Sequence, residues 1–179
     1  MLPLLPESET RVPGDRPLSV GDPEDRHDLL VHVPNASVPC VAAERDEIVL
    51  AWRGKLDDEE LYELTVSHGG RPKRGWWDRV QPRSLGWVTA RARDGLLVGF
   101  VNVAWDGGDH AFLLDPKTRG SFQRRGIGTR LVRRAAEQAR TAGCEWLHVD
   151  FEIHLRAFYY EACGFTPTNA GLIDLRSPR

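Results

Sequence analysis

From Glu47 onward the apolar positions form a regular pattern of short runs separated by turn residues. Ile48-Val49-Leu50-Ala51-Trp52 reads as a strand. Leu56 to His68 reads as a helix: Leu61, Leu64 and Thr65 recur at helical spacing, Asp57 and Asp58 suit the first turn, and Gly69-Gly70 ends it. Arg71 to Pro82, with Trp76 and Trp77, reads as a loop or short helix. Leu85 to Ala92 and Leu96 to Trp105 read as two strands joined at the hairpin turn Arg93-Asp94-Gly95. Gly107-Gly108 leads into another strand, His110 to about Thr118. Ile127 to Ala142 is strongly helical: Leu131, Val132, Ala135, Ala136 and Ala139 form an apolar stripe, opposite Arg130, Arg133, Arg134, Glu137 and Arg140. Gly143 supplies the C-terminal cap. A strand near 145–151, a helix near 154–162 and a last strand pair near 165–175 complete the pattern. Strands and helices in this order predict an α/β (α+β) fold, with a mixed, mostly antiparallel sheet flanked by helices.

The preceding stretch has a different composition. Residues 1–45 hold none of the fifteen aromatic residues but seven of the twelve prolines, with eight acidic residues against four arginines. Such a segment cannot bury enough apolar surface to offset its ordering entropy, so residues 1–45 are expected to be a flexible or loosely packed extension. Its part from Leu29 to Ala43 is more apolar and suits a short strand or hairpin against the domain. Residues 46–179 are then the domain itself. At 179 residues, with 41% hydrophobic and 28% charged content, the chain has ordinary soluble globular composition. A net charge of -2 provides no global basic field, so no nucleic-acid partner is expected. The apolar runs are too short to span a bilayer, so no membrane partner is expected, and the N-terminus lacks the basic start and apolar core of a secretory signal. Cys40, Cys144 and Cys163 are odd in number and lack metal-ligand spacing, which suits a reducing cytoplasm and predicts no metal.

The chemistry concentrates in Gln123-Arg124-Arg125-Gly126-Ile127-Gly128-Thr129, between the strand containing Ala111-Phe112-Leu113-Leu114 and the long helix. The first N–H groups of a helix lack intrahelical partners, the helix dipole adds positive charge there, and glycine lets an anion approach the backbone. The stretch therefore reads as a phosphate cradle. It is not a P-loop, which needs four residues between its glycines and a Lys-Ser/Thr after the second. It is not a dinucleotide fingerprint either, because Leu131 stands where a third glycine is required.

What remains, Q/R-x-x-G-x-G leading into a helix, resembles motif A of the GCN5-related N-acetyltransferase (GNAT) superfamily. Downstream, Phe158-Tyr159-Tyr160-Glu161-Ala162-Cys163-Gly164-Phe165 resembles the family's F-Y-x-x-x-G-F signature, with the strand Cys144 to Asp150 between the two motifs. The resemblance covers roughly residues 46–176 and implies the GNAT fold, with six to seven strands in the central sheet. It implies acetyl-CoA as donor, its pyrophosphate on the backbone amides of Arg124 to Thr129 with the Gln123 and Arg125 side chains nearby. The main chains of Lys117 and Thr118 would then bond the pantetheine arm like an added strand. Pro116 cannot donate to a ladder, but a splayed or bulged strand end tolerates it, and the family has one there.

Acetyl transfer to an amine requires a neutral amine, a stabilised oxyanion and reprotonation of the CoA thiolate. Tyr160 aligns with the family's general acid, four residues before the glycine of Gly-Phe, and Tyr159 is expected to pack. A phenol stays protonated at neutral pH and can donate. Base candidates are Asp106, His110, Asp115, His148, Asp150 and Glu152, of which Asp150 is favoured because it follows the strand that splays away in this family. Many family members carry asparagine seven residues before the tyrosine; here that position is Ile153, so that contact does not carry over.

The acceptor groove of the family lies between the first helix, the loop after it and nearby strand ends. Trp76, Trp77, Trp105 and Asp106 are the expected acceptor contacts, and Asp57 to Glu60 lie close by, although they also make a good helix start. Carboxylates beside aromatic faces suit a cationic amine. Part of the chain, Leu85 to Asp115, resembles small bacterial GNAT proteins, some of which modify aminoglycosides. The expectation is an N-acetyltransferase for a small cationic amine, with an aminoglycoside-type antibiotic as one form of it and a homodimer left open. A protein or peptide N-acetyltransferase, and a non-catalytic acyl-CoA-binding module, are the alternatives.

Overall fold

The computed structural model describes residues 47–176. The expected extension, residues 1–45, lies outside the described residues. Five strands form one sheet in the order β1-β2-β3-β4-β5: β1 (Val49–Trp52), β2 (Ser84–Arg91), β3 (Leu97–Trp105), β4 (His110–Thr118) and β5 (Trp146–His148). Neighbours from β1 to β4 are antiparallel, and β5 runs parallel to β4. Helices α1 (Asp58–His68) and α2 (Trp76–Val80) cover one face, and α3 (Ile127–Thr141) covers the other.

The two faces have separate cores. Ile127, Leu131, Val132, Ala135 and Ala139 of α3 are buried against Val88, Val98, Val101, Val103, Ala111 and Leu113. Burying each of the three larger α3 side chains contributes about 2 kcal/mol. On the opposite face, Leu61 and Leu64 of α1 and Trp77 of α2 pack on Leu97 and Phe100. Thus β3 is apolar along nearly its whole length because it is buried on both sides.

Local chemistry sets the element ends. Asp57 caps α1: its Oδ1 accepts from the Glu60 amide at 2.8 Å, while Glu60 Oε2 accepts from the Asp57 amide at 3.3 Å. This capping box places the first helical residue at Asp58, two residues later than the pattern suggested. Asp58 then accepts from the amides of Gly75 and Trp77 at 2.6 and 3.0 Å, tying α2 to the start of α1. These bonds to backbone amides hold its carboxyl below the usual range.

Strand β4 contains one extra residue relative to β3. Phe100 pairs with Lys117 and Asn102 with Leu114, so three steps on β4 oppose two on β3. Asp115 lies within this bulge at φ 54°, beside Pro116, which has no N–H to leave unpaired. The bulge reverses the in–out alternation. Ala111 and Leu113 face α3, whereas Lys117 falls on the face of Phe100, with α1 and α2.

Two expectations about the C-terminal third are corrected. The sheet has five strands among the described residues, not six or seven, because residues 165–175 form no strand pair. Pro167 removes a ladder donor there, and Leu172 and Leu175 remain 90% and 89% exposed, so no apolar face draws the segment onto the sheet. The expected helix near 154–162 is a 3₁₀ turn, Ile153–Leu155, followed by a π-helix, Ala157–Ala162. There the Cys163 amide donates to the Phe158 carbonyl, five residues back. Packing accompanies the wider turn: Tyr159 stacks on Phe151 and lies edge-on to Phe158 and Phe165.

Candidate active site

The central feature is where β4 and β5 part. They pair only over His110–Phe112 and Trp146–His148. Beyond that β4 continues to Thr118 with its outer edge unpaired by β5. The gap opens into a groove of about 630 Å³ formed by Pro116 to Thr118, the Gln123-to-Thr129 loop and the segment carrying His154, Leu155, Phe158 and Tyr159.

The loop ends at α3 in a conformation that leaves donors open. Gly126 is the N-cap in the left-handed region, φ 73°, and no side chain caps the first turn. The amides of Ile127, Gly128 and Thr129 are thus the unpartnered donors of a helix N-terminus that carries no acidic residue. At Gly128 a β-carbon would meet the Phe158 ring at 3.3 Å, so a side chain here would crowd the groove wall. Arg124, also at positive φ, lines the groove. Arg125 folds back, donating to the Ser121 carbonyl and lying over Phe122 at 5.0 Å.

Thr118 presents its main chain to the gap, where His68 meets it. His68 Nδ1 lies 2.9 Å from the Thr118 carbonyl oxygen and 3.3 Å from its amide nitrogen. Gln123 Nε2 donates to the same carbonyl at 3.3 Å. The sequence reading did not single out His68; its place at the last turn of α1, facing β4, becomes visible only through the packing of α1.

A second cavity, about 370 Å³, lies between α1, the loop after it and β4. Asp58, Tyr62, Trp76, Asp115 and Lys117 line it, with Arg71 and Lys73 at its rim. Lys117 lines both cavities. Its side chain is 11% exposed, its Nζ donates to Asp115 Oδ1 at 3.2 Å, and it sits 5.3 Å from the Trp76 ring centroid. Burial pushes this ammonium below the usual lysine range, and Asp115 draws it part of the way back.

The expected site residues are distributed as follows. Lys117, Thr118, Gln123, Arg124, Gly126, Ile127, Gly128 and Thr129 all line the groove. Trp76 lines the second cavity, but Trp77 does not share it: it is 1% exposed and edge-on to both Trp87 and Phe100. Its bulk completes the α1–α2 core. Trp105 and Asp106 lie at the opposite end of β4, roughly 25 Å along the strand from Thr118 at the usual rise per residue. Asp106 serves the β3–β4 turn there, accepting from Gly108 and His110. His110 and His148 share that end, ring on ring at 5.0 Å.

Of the two tyrosines, Tyr159 is 2% exposed within the aromatic cluster and also lines the groove. Burial pushes its phenol up to about 12. Tyr160 is half-buried, edge-on to Phe151, with the Arg156 guanidinium 5.6 Å from its ring; it is not part of the groove lining. Asp150 is exposed two residues past β5, and its charge contributes to the upward shift at Tyr159. Burial also raises the Cys163 thiol, which fits a packed residue rather than a nucleophile.

The solved structures similar to this chain include a probable acetyltransferase of unknown function from meticillin-resistant Staphylococcus aureus, at 19% identity, TM-score 0.62, covering 72% of this chain and 98% of that one. The aminoglycoside N-acetyltransferase AAC(6')-Iy in complex with CoA matches at 20% identity, TM-score 0.58, over 72% and 93% of the two chains. Glucosamine-6-phosphate N-acetyltransferase from Arabidopsis thaliana matches at 15% identity, TM-score 0.56, over 72% and 99%. These likenesses show a shared fold. No curated protein matches the sequence. The sequence model of the acetyltransferase (GNAT) family matches residues 45–165, which include the splayed strands, the glycine loop and the Gly-Phe turn. With motif, fold and family match in agreement, the chain belongs to the acetyltransferase (GNAT) family.

Proposed function

We propose that this chain is an acetyl-CoA-dependent N-acetyltransferase, moving the acetyl group directly to a primary amine of a small acceptor in a ternary complex. The observation that carries the reading is the junction of two cavities at one strand end. An anion-ready groove lies along the free edge of β4, and a second cavity meets it at Lys117. In this reading the donor's pyrophosphate rests on the amides of Arg124 to Thr129. Its pantetheine arm runs past Lys117 and Thr118 and bonds the outward-facing main-chain groups of Thr118, so the thioester reaches the bulge at Asp115. The acceptor enters from the other side, past Trp76. No metal is needed. The free thiols of Cys144 and Cys163 suit a cytoplasmic enzyme.

Chemically, the neutral amine nitrogen attacks the thioester carbon and the tetrahedral adduct expels the CoA thiolate. The nitrogen loses its proton to Asp150, directly or through water, and the thiolate takes one from Tyr160. The products are the amide and CoA thiol. A second reading of the acid is favoured by one observation, that Tyr159 and not Tyr160 lines the groove. Against it, a phenol held at about 12 gives up its proton less readily than an ordinary one.

An aminoglycoside acceptor, the class named for one structural neighbour, would need carboxylates and ring faces open to ammonium groups. The activity is tested by following thiol release from acetyl-CoA with an amine panel. Amine-dependent release supports the enzyme. Binding of acetyl-CoA with no release for any amine would instead support a binding module.

A further inference from the structure

The second cavity contains the groups a polycation would use, and the protein already occupies them. Asp58 accepts from the amides of Gly75 and Trp77. Asp115 pairs with Lys117. The Lys117 ammonium lies over the Trp76 ring at 5.3 Å, and the Arg74 guanidinium lies over Tyr62 at 4.5 Å. Both carboxylates and one face of each ring are therefore engaged.

The cations are less fully matched. Among the described residues, Arg71 and Lys73 make no ion pair. Both hydrogen bonds of Lys117 go to Asp115, at 3.2 Å to its carbonyl oxygen and 3.2 Å to its carboxylate. An ammonium has three donors, so at least one remains for a ligand. The lining carries three cations, Arg71, Lys73 and Lys117, against two carboxylates, Asp58 and Asp115, a net charge of one positive. Arg71 and Lys73 alone would be an ordinary solvated rim. Lys117 differs because its side chain is 11% exposed and sits where the two cavities meet. A charge-assisted hydrogen bond from a desolvated ammonium is strong and selects an anion.

Resting on the acetyl-transfer reading above, we propose that the acceptor is a small amine that also carries an anionic group, a carboxylate or a phosphate. The anion seats against Lys117 with Arg71 and Lys73 at the rim, and the amine turns toward the bulge at Asp115. A polycationic aminoglycoside is then a poor acceptor.

The test uses the full-length chain and matched pairs of acceptors: L-amino acids with their carboxamides, and glucosamine 6-phosphate with glucosamine. Kanamycin and spermidine serve as polycations, and CoA release is the readout. The expected result is a kcat/KM at least about tenfold higher for the anionic member of one pair, equivalent to about 1.4 kcal/mol. Whichever pair shows it distinguishes a carboxylate from a phosphate. Lys117→Gln should bring that ratio to within about twofold of unity. Should Lys117→Gln not fold, the exposed double variant Arg71→Glu/Lys73→Glu should still lower the ratio. Equal or better turnover of the neutral members or the polycations overturns the proposal. So does an anion preference that survives Lys117→Gln in folded protein, or one unchanged in the rim variant. Acetyl-CoA binding without release for any acceptor is a distinct outcome, which overturns the acetyl-transfer reading and this inference with it.

Discussion

His68 Nδ1 lies 2.9 Å from the carbonyl oxygen of Thr118 and 3.3 Å from its amide nitrogen, which joins the end of α1 to the free edge of β4. These are the main-chain groups assigned above to the pantetheine arm. The imidazole and the cofactor therefore compete for one strand edge. A net hydrogen bond is worth about 1 kcal/mol. His68→Ala should bind acetyl-CoA a few-fold more tightly by isothermal titration calorimetry. Weaker binding would mean that His68 stays beside the bound donor.

The two loop glycines should fail in different ways. Gly126 sits at φ 73° with open space around its would-be β-carbon. Gly126→Ala should cost about 1–2 kcal/mol of stability from backbone strain. Gly128 has no such strain, but a side chain would press on the Phe158 ring from 3.3 Å. Gly128→Val should lower acetyl-CoA affinity by roughly tenfold or more, about 1.4 kcal/mol. Denaturation curves and titration calorimetry on both variants separate the two effects. Wild-type affinity in Gly128→Val would contradict the donor's placement.

Tyr160→Phe should lower kcat by about a hundredfold, the lower end for a general acid, with acetyl-CoA affinity near that of the parent. Tyr159→Phe should leave kcat within a few-fold. Steady-state kinetics on both variants decide the assignment. A reversed pattern would give the acid role to Tyr159.

The buried Tyr159 phenol also has a pH signature. Burial disfavours phenolate, so the folded state holds this proton up to about pH 12, against an ordinary value near 10. The associated stability is fully present below pH 10 and is lost as the pH rises through about 12. Urea unfolding measured from pH 8 to 12 should show wild type losing more stability than Tyr159→Phe, on the order of 2–3 kcal/mol. Parallel losses would contradict the buried, proton-holding state.

The features legible in the sequence are those fixed by short-range chemistry. The Gln123-to-Thr129 loop was readable because its glycines and the following apolar stripe lie within one turn and one helix. Pro116 announced an irregular end to β4, and the acidic run Asp57 to Glu60 marked the start of α1 to within two residues. What escaped depends on register. The extra residue at Asp115 moves the Lys117 side chain across the sheet, from the α3 side to the α1–α2 side, and alternation alone does not reveal that. Trp77 looked like a ligand-facing neighbour of Trp76, but successive helical residues point apart, and α2 turns Trp77 into the core. Trp105 and Asp106 are strand-end residues, and which end of β4 they share depends on the pairing of β3 with β4. The π-helix goes with packing of Tyr159 against Phe151 and Phe165, which lie outside it, and against its neighbour Phe158.

The central claim is that acetyl-CoA lies along the free edge of β4 with its pyrophosphate on the N-terminus of α3. Amide hydrogen exchange with and without saturating acetyl-CoA tests it most directly. The account predicts slowed exchange at Thr118 and the amides of Arg124 to Thr129, with the β3–β4 turn around Asp106 unaffected. Unchanged exchange through Arg124 to Thr129, with protection elsewhere, would contradict it.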